Sequence, residues 1–361
     1  MASPAEIDPM KRLVIVSDAW HPQVNGVVRT LTQLREQMEA RGVEVTIISP
    51  ADYPSAPCPT YPEIRLALTY PAAVKARIEA LQPAFVHIAT EGPLGIMARR
   101  ACLKNKWRFT TSFHTRFPEY LRERLPIPLA WTYGFLRRFH NAAETCLVPT
   151  QSIYEELTER GFDTLRVWTR GVDRDLFRPQ ADVDLGLAHP VFLCVGRVAP
   201  EKNLEAFLAL DLPGTKLVVG DGPDMDELKR KFPDAVFAGK KEGEELARHY
   251  AGADVFVFPS RTDTFGLVLL EAIACGLPVA AYPVAGPKDV IGATGAGVLS
   301  IDLQEAALGA LAMGRVDPDA TLQGFSWEAC ADIFEDILTA IAGAKPQLGH
   351  EANAARAVSA G

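Results

Sequence analysis

The chain has 361 residues, 48% hydrophobic and 23% charged. At about 150 residues per domain that length suggests two domains. The balance is that of a globular protein, which excludes a disordered, collagenous or coiled-coil architecture, and the net charge of −8 argues against nucleic acid as a partner. No apolar run approaches the roughly 20 residues of a membrane-spanning helix. Met1–Arg12 lacks the apolar core of a signal peptide. The six cysteines are scattered with no Cys-x-x-Cys pair, so neither a disulfide framework nor a zinc site is indicated. A reducing cytoplasm is the expected location.

The charge divides unevenly. Residues 1–175 hold 22 Lys+Arg against 19 Asp+Glu, a net of +3; residues 176–361 hold 15 against 26, a net of −11. Ten basic residues crowd into Arg99–Arg138, where only Glu119 and Glu123 offset them. Such asymmetry predicts that the two halves face different partners.

Leu13–Val16 reads as a strand. Val27, Leu31, Leu34 and Met38 then recur at helical spacing, with Gly42 placed for a C-terminal cap. Val43–Ile48, Phe85–Ile88, Phe109–Ser112 and Thr145–Val148 continue as strands. The grammar restarts with a strand at Val191–Val195, a helix over Asn203–Leu210 and a strand at Lys216–Val219. Asp224 with Glu227 predicts a capping box that opens a further helix. Asp254–Phe258 and Pro278–Tyr282 read as strands, flanking a helix over Gly266–Cys275 closed by Gly276. Two rounds of strand–helix alternation predict an α/β protein with two doubly wound parallel sheets. The polar, Pro-containing stretch 178–190 is the expected linker, and 343–361 the expected disordered tail.

Ligands of doubly wound domains sit beyond the carboxyl ends of the strands. Three loops there are unusual. In Ser17–Val27 a strand runs through Asn25-Gly26-Val27 into a helix, where backbone could approach a diphosphate and the helix N-terminus would supply free amides. The simpler reading is a tight turn, and the missing Gly-x-Gly-x-x-Gly disfavours a dinucleotide. In Gly196–Asn203, Arg197 and Lys202 follow a buried strand; they could neutralise a diphosphate leaving group, or be two solvated loop cations. In Pro259–Ala272, Asp263 stands at the start of a helix with the amides of Thr264, Phe265 and Gly266, and Glu271 lies about two turns inside it. Eight helical steps would span about 12 Å, comparable to a sugar nucleotide from ribose to hexose. Carboxylates suit vicinal diols. Asp263 could instead be an N-cap, whereas Glu271 lies in an apolar run where a carboxylate needs a partner.

Together these segments resemble the retaining glycosyltransferases of family 4, which have the GT-B fold. The resemblance also rests on Val219-Gly220-Asp221-Gly222-Pro223 and on Glu201-Lys202-Asn203, and it spans about residues 12–335. Ser112-Phe113-His114-Thr115-Arg116-Phe117-Pro118-Glu119-Tyr120 is similar to the subgroup of α-mannosyltransferases and diacylglycerol glycosyltransferases. The resemblance implies two Rossmann-like domains facing a cleft: 1–177 for the acceptor and 191–325 for the nucleotide sugar. A helix at 326–342, starting from Phe325-Ser326-Trp327, would cross back, and Arg170-Gly171-Val172-Asp173 would enter the cleft. It further implies that Glu271 holds the ribose, that Arg197 and Lys202 hold the diphosphate with the Asn25-Gly26-Val27 loop, and that Asp263 and the Thr264–Gly266 amides hold the donor sugar. His114 would contact the hexose near the reacting carbon; taken alone, a His after an apolar strand is more often structural. The nucleotide sugar would be a co-substrate, with no metal and no cofactor. The family pattern is Glu-x7-Glu, whereas this chain has Asp263-x7-Glu271, so the sugar contact could shift by one methylene.

The basic stretch also carries aromatics, among them Trp107, Phe113, Phe117, Tyr120, Trp131, Tyr133, Phe135 and Phe139. Basic residues with aromatic anchors suit an anionic membrane surface. The expectation is a peripheral enzyme on the inner face of the cytoplasmic membrane, glycosylating a lipid such as diacylglycerol or ceramide. A GDP-mannose-dependent α-mannosyltransferase acting on a glycan or glycolipid is the alternative. A sugar-nucleotide 2-epimerase is a more distant one, disfavoured by Glu271 and by Gly196-Arg197-x4-Lys202.

Overall fold

The computed structural model of the chain describes residues 11–58, 64–124 and 127–342. The tail expected to be disordered, 343–361, lies outside the described residues. Among the described residues no helix is long and apolar enough to cross a membrane.

In the N-terminal half, β1 (Arg12–Val16), α1 (Gly26–Ala40) and β2 (Glu44–Ile48) are followed by a small hairpin, β3 (Ser55–Pro57) with β4 (Arg65–Ala67). Then come α2 (Pro71–Leu81), β5 (Phe85–Ile88), α3 (Pro93–Asn105) and β6 (Thr110–Ser112). The half closes with α4 (Phe117–Arg124), α5 (Leu129–His140), β7 (Thr145–Val148), α6 (Gln151–Glu159) and β8 (Leu165–Val167). The sheet runs β2-β1-β5-β6-β7-β8, all parallel. Its strand order reverses between β1 and β5, which opens a crevice at their carboxyl ends.

The second half repeats the plan. Its elements are β9 (Val191–Val195), α7 (Leu204–Leu208), β10 (Thr215–Val219), α8 (Met225–Lys231), β11 (Val236–Gly239), α9 (Gly243–Ala251) and β12 (Val255–Phe258). They continue as α10 (Leu267–Ala274), β13 (Val279–Ala281), α11 (Ala285–Thr294), β14 (Gly297–Leu299), α12 (Leu303–Met313) and the short α13 (Pro318–Thr321). The order β11-β10-β9-β12-β13-β14 places the reversal between β9 and β12. The Arg197 and Asp263 loops follow those two strands. Helices cover both faces, so the central strands are apolar on both sides: every residue of β12 is buried.

The last helix, α14 (Trp327–Ala342), returns to the first sheet. Trp327, Cys330, Phe334, Ile337, Leu338 and Ile341 share one core cluster with Leu13, Leu31 and Trp168. Trp168 Nε1 donates to Cys330 O at 2.9 Å. Gly171 sits where the chain crosses: a Cβ there would lie 2.7 Å from Ser326 O and closer still to the backbone of Trp327.

Two local expectations are not met in full, for backbone reasons. Asp224 makes no capping hydrogen bond, because at φ −90°, ψ 1° its backbone lacks the extended form from which a side chain reaches the next amides. The helix expected over Asn203–Leu210 is present but shortened to the five-residue α7, and a separate 3₁₀ turn at Pro200–Lys202 precedes it. Asn203 between them is left-handed at φ 54°, and its side chain donates to Pro259 O at 3.0 Å. That bond ties the Lys202 loop to the end of β12.

Candidate active site

The carboxyl ends of the two sheets face each other, and the candidate residues meet there. Thr264 Oγ1 in the second domain donates to the backbone oxygen of His114 in the first, at 2.6 Å. Arg29 of α1 pairs with Glu271 of α10 across the same gap. Gly26 faces Leu267, and a Cβ on it would stand 3.8 Å from that side chain.

Among the described residues Glu271 is the most buried carboxylate, its side chain only 3% exposed. The sequence shows that it needs a partner; the structure supplies two. Arg29 engages Oε1, and Tyr250 donates to Oε2 at 2.9 Å. Burial first, and then the charge of Glu271, push the Tyr250 phenol well above its usual range, so it stays protonated and donates. Glu271 is the fifth residue of α10, not two turns inside it, because the helix starts only at Leu267. The span expected from eight helical steps is therefore not built as a helix. Gly266 caps α10 with φ 84°, a left-handed backbone natural to glycine, and no side chain occupies the cap. Among the described residues no side chain therefore caps the amides at the start of α10.

At α1 the opposite holds. Asn25 Oδ1 accepts from Val27 N and Val28 N, both at 3.0 Å. Asn is a strong N-cap, so it uses the amides expected to serve an anion.

Asp263 and Lys202 are brought together: Lys202 Nζ donates to both Asp263 oxygens, at 2.6 and 2.8 Å. The side chains are 16% and 27% exposed, so the pair lies at the rim of the cleft. Asp263 is not an N-cap, since it lies three residues ahead of Gly266. Arg197 is half-buried just beyond β9.

His114 follows β6 and is wedged between domains. Its Nδ1 accepts from Arg170 Nη2 at 3.3 Å, and its ring stands edge-on to Trp168 at 6.1 Å. Burial, then the charges of Arg170, His87 and His140, hold its pKa well below the ordinary value. Beneath it lies a polar seam. His87 on β5 bridges Thr110 Oγ1 and Ser112 Oγ of β6, both at 2.7 Å, and burial lowers its pKa to about 3. His140 contacts Thr111 Oγ1 at 2.9 Å and pairs with Glu91 at 3.0 Å. Burial alone would depress His140, but neighbouring Cys146 and the Glu91 carboxylate raise it to about 10. Asp18, after β1, accepts from Leu94 N, Gly95 N and Thr90 Oγ1, and so caps α3. Arg29, Tyr250, Glu91 and His140 are absent from the candidates read in the sequence. Each acts through a partner more than 20 positions away, which no local pattern announces.

Residues 24–176 match the family described as Glycosyltransferase Family 4, and residues 189–315 match Glycosyl transferases group 1. A GDP-mannose-dependent alpha-mannosyltransferase of Mycobacterium tuberculosis is 30% identical over 306 residues, 78% of this chain and 81% of that protein. The chain belongs to glycosyltransferase family 4. An alpha-monoglucosyldiacylglycerol synthase of Streptococcus pneumoniae is 25% identical over 75% of this glycosyltransferase and 71% of its own length. The solved sucrose-phosphate synthase of Thermosynechococcus elongatus superposes with a TM-score of 0.72 at 21% identity, covering 93% of this chain and 100% of that one. The fold is therefore GT-B, and the protein is a hexosyltransferase that uses a sugar-nucleotide donor.

Proposed function

We propose that this glycosyltransferase moves a hexose or hexuronic acid from a UDP- or GDP-linked donor to a hydroxyl of a membrane lipid such as diacylglycerol or ceramide. Transfer retains the anomeric configuration and uses neither metal nor cofactor. The enzyme works as a peripheral protein on the inner face of the cytoplasmic membrane. One observation carries the acceptor: the outer face of α5. Trp131 is 75% exposed and Phe135 47% exposed, one turn apart on the same side, and exposed Arg138 continues that side. The opposite side of α5 buries Tyr133, Leu136, Phe139 and His140. Two wet aromatics followed by a cation suit the boundary of an anionic bilayer. The name of the pneumococcal relative adds support.

In the donor half, Glu271 holds the ribose, and Arg197 with Lys202 neutralises the diphosphate. Asp263 and the amides of Thr264, Phe265 and Gly266 hold the sugar, and His114 approaches it from the acceptor side. The acceptor attacks from the face that the diphosphate leaves, and a diphosphate oxygen takes its proton. The protein then contributes position and charge more than acid–base exchange.

Flotation with phosphatidylglycerol vesicles tests the acceptor reading. Wild type rises with the vesicles at low salt, and Trp131→Ala/Phe135→Ala stays largely below. Failure of the wild type to float overturns it. A second reading, GDP-mannose-dependent α-mannosyl transfer to a glycan or glycolipid, is favoured by the 30% identity to the mycobacterial enzyme. A thermal-shift panel separates the donors, because a ligand stabilises the fold that binds it. Stabilisation by GDP-mannose and by no UDP sugar is the donor result that the second reading requires, and mannosyl transfer to a glycan or glycolipid but not to diacylglycerol or ceramide then selects it.

A further inference from the structure

Arg170 is 3% exposed, and among the described residues no carboxylate pairs with it. Its guanidinium lies 4.3 Å from the Trp168 ring centroid. Nη1 donates to the backbone oxygens of Trp168 and Thr169, and Nη2 donates to His114 Nδ1 at 3.3 Å. Burial lowers its pKa to about 10, which leaves it a cation at neutral pH. A buried cation held by two carbonyls and an aromatic face is costly to place. Something beyond packing is expected of it.

A guanidinium has donors and no acceptor. His114 Nδ1 must therefore offer its lone pair. A neutral imidazole carries one N–H, so the proton lies on Nε2. His114 Nε2 is buried and has no hydrogen-bond partner among the described residues. An unpaired buried donor is rare and asks for a ligand.

We propose that Arg170 is a positioning residue: it locks His114 as the Nε2–H tautomer, so that the ring is a fixed hydrogen-bond donor to an oxygen of the bound sugar nucleotide and not a base. The backbone oxygen of His114, held by Thr264, fixes the other end of the residue. The groups around the ring all oppose a second proton: Arg170, His87 and His140 each bear on it with a positive charge or the prospect of one. The proposal rests on the assignment of His114 to the donor site.

Long-range ¹H–¹⁵N correlation on ¹⁵N-histidine protein reads the tautomer, with His114 assigned by the signals lost in His114→Asn. Wild type should show an unprotonated Nδ1 and a protonated Nε2, unchanged between about pH 5.5 and 9. Arg170→Met should mix the tautomers and let the ring titrate, while Arg170→Lys, another pure donor, should largely restore the wild-type pattern. An Nδ1–H ring in wild type overturns the proposal even if Arg170→Met fails to fold. An unaltered tautomer in folded Arg170→Met overturns it as well. Turnover provides the separate check on the site: Arg170→Met should lose about tenfold or more in kcat with donor KM little changed. A shifted tautomer with unchanged kcat removes His114 from the reaction and leaves its lock in place.

Discussion

Replacing Glu271 by Gln tests the ribose assignment most directly. The side chain keeps its shape but has one acceptor oxygen in place of two and gains an NH₂ donor. Both present partners, Arg29 and Tyr250, are donors. The single oxygen can serve only one of them. Tyr250 is fully buried and has no water to turn to, so it retains the oxygen, and the NH₂ is turned toward Arg29. Arg29 is 40% exposed, so water recovers part of its loss and the cost in stability should be about 1–2 kcal/mol. Ribose hydroxyls arrive as donors and meet an NH₂ that cannot accept. A hydrogen bond to a charged acceptor is worth about 1.5–3 kcal/mol, so Kd for UDP or GDP should rise about tenfold to a hundredfold. Isothermal titration with both nucleotides, on variant protein whose near-ultraviolet circular dichroism matches wild type, measures it. A Kd within about threefold of wild type for both would refute the reasoning. Glu271 would then be a tie between α1 and α10, and the ribose would be held elsewhere.

Gly171→Ala should lower the melting temperature by about 5 °C or more, since overpacking costs about 1–3 kcal/mol and the overlap here is with backbone that cannot swing aside. Scanning fluorimetry suffices, and an unchanged melting temperature contradicts the close crossing of residues 170–172 over Ser326 and Trp327. Glu91→Gln weakens the support of the His140 charge. The folded His140 pKa of about 10 lies above the ordinary 6.5, so the pair stabilises the protein fully below about pH 6.5 and loses that effect as pH climbs toward 10. The gap in melting temperature between wild type and Glu91→Gln should be widest near pH 6 and close toward pH 10. A gap that widens with pH excludes a charged His140.

Strands buried on both faces are legible in the sequence because they are short apolar runs: Leu13–Val16, Val191–Val195 and Asp254–Phe258 each coincide with a central strand. β8, β11 and β14 are not. All three lie at sheet edges, where burial is partial and the pattern mixed: β8 buries only Leu165, and no residue of β11 or β14 is fully buried. The same division holds at the site. Asp263, Glu271, Arg197, Lys202 and His114 stand near carboxyl ends of strands or the helices that follow, so alternation alone draws attention to them. Their pairings are invisible in sequence because they cross the cleft or bridge loops: Arg29 to Glu271, Lys202 to Asp263, Arg170 to His114. Asn25 shows the converse, a residue selected for an anion that spends its oxygen on the helix it begins.

The basic stretch is the feature whose meaning shifts most between sequence and structure. Arg99 donates to the backbone oxygens of Arg138 and Phe139 and so terminates α5. Arg108 reaches Ile341 O and pairs with Glu144, Arg116 pairs with Glu156, and Arg137 donates to Arg160 O. Glu144 and Glu156 lie outside the stretch, so the local surplus is smaller in space than along the chain. A cation near an anionic surface is worth about 1 kcal/mol, and cations already engaged within the protein contribute less. Under the proposed acceptor reading, Trp131 and Phe135 must then supply a larger share of the attraction than the charge count suggests. Apolar insertion resists salt and charge attraction does not. Vesicle binding that persists in part at high salt is therefore the signature of this surface, and a purely polybasic patch would release.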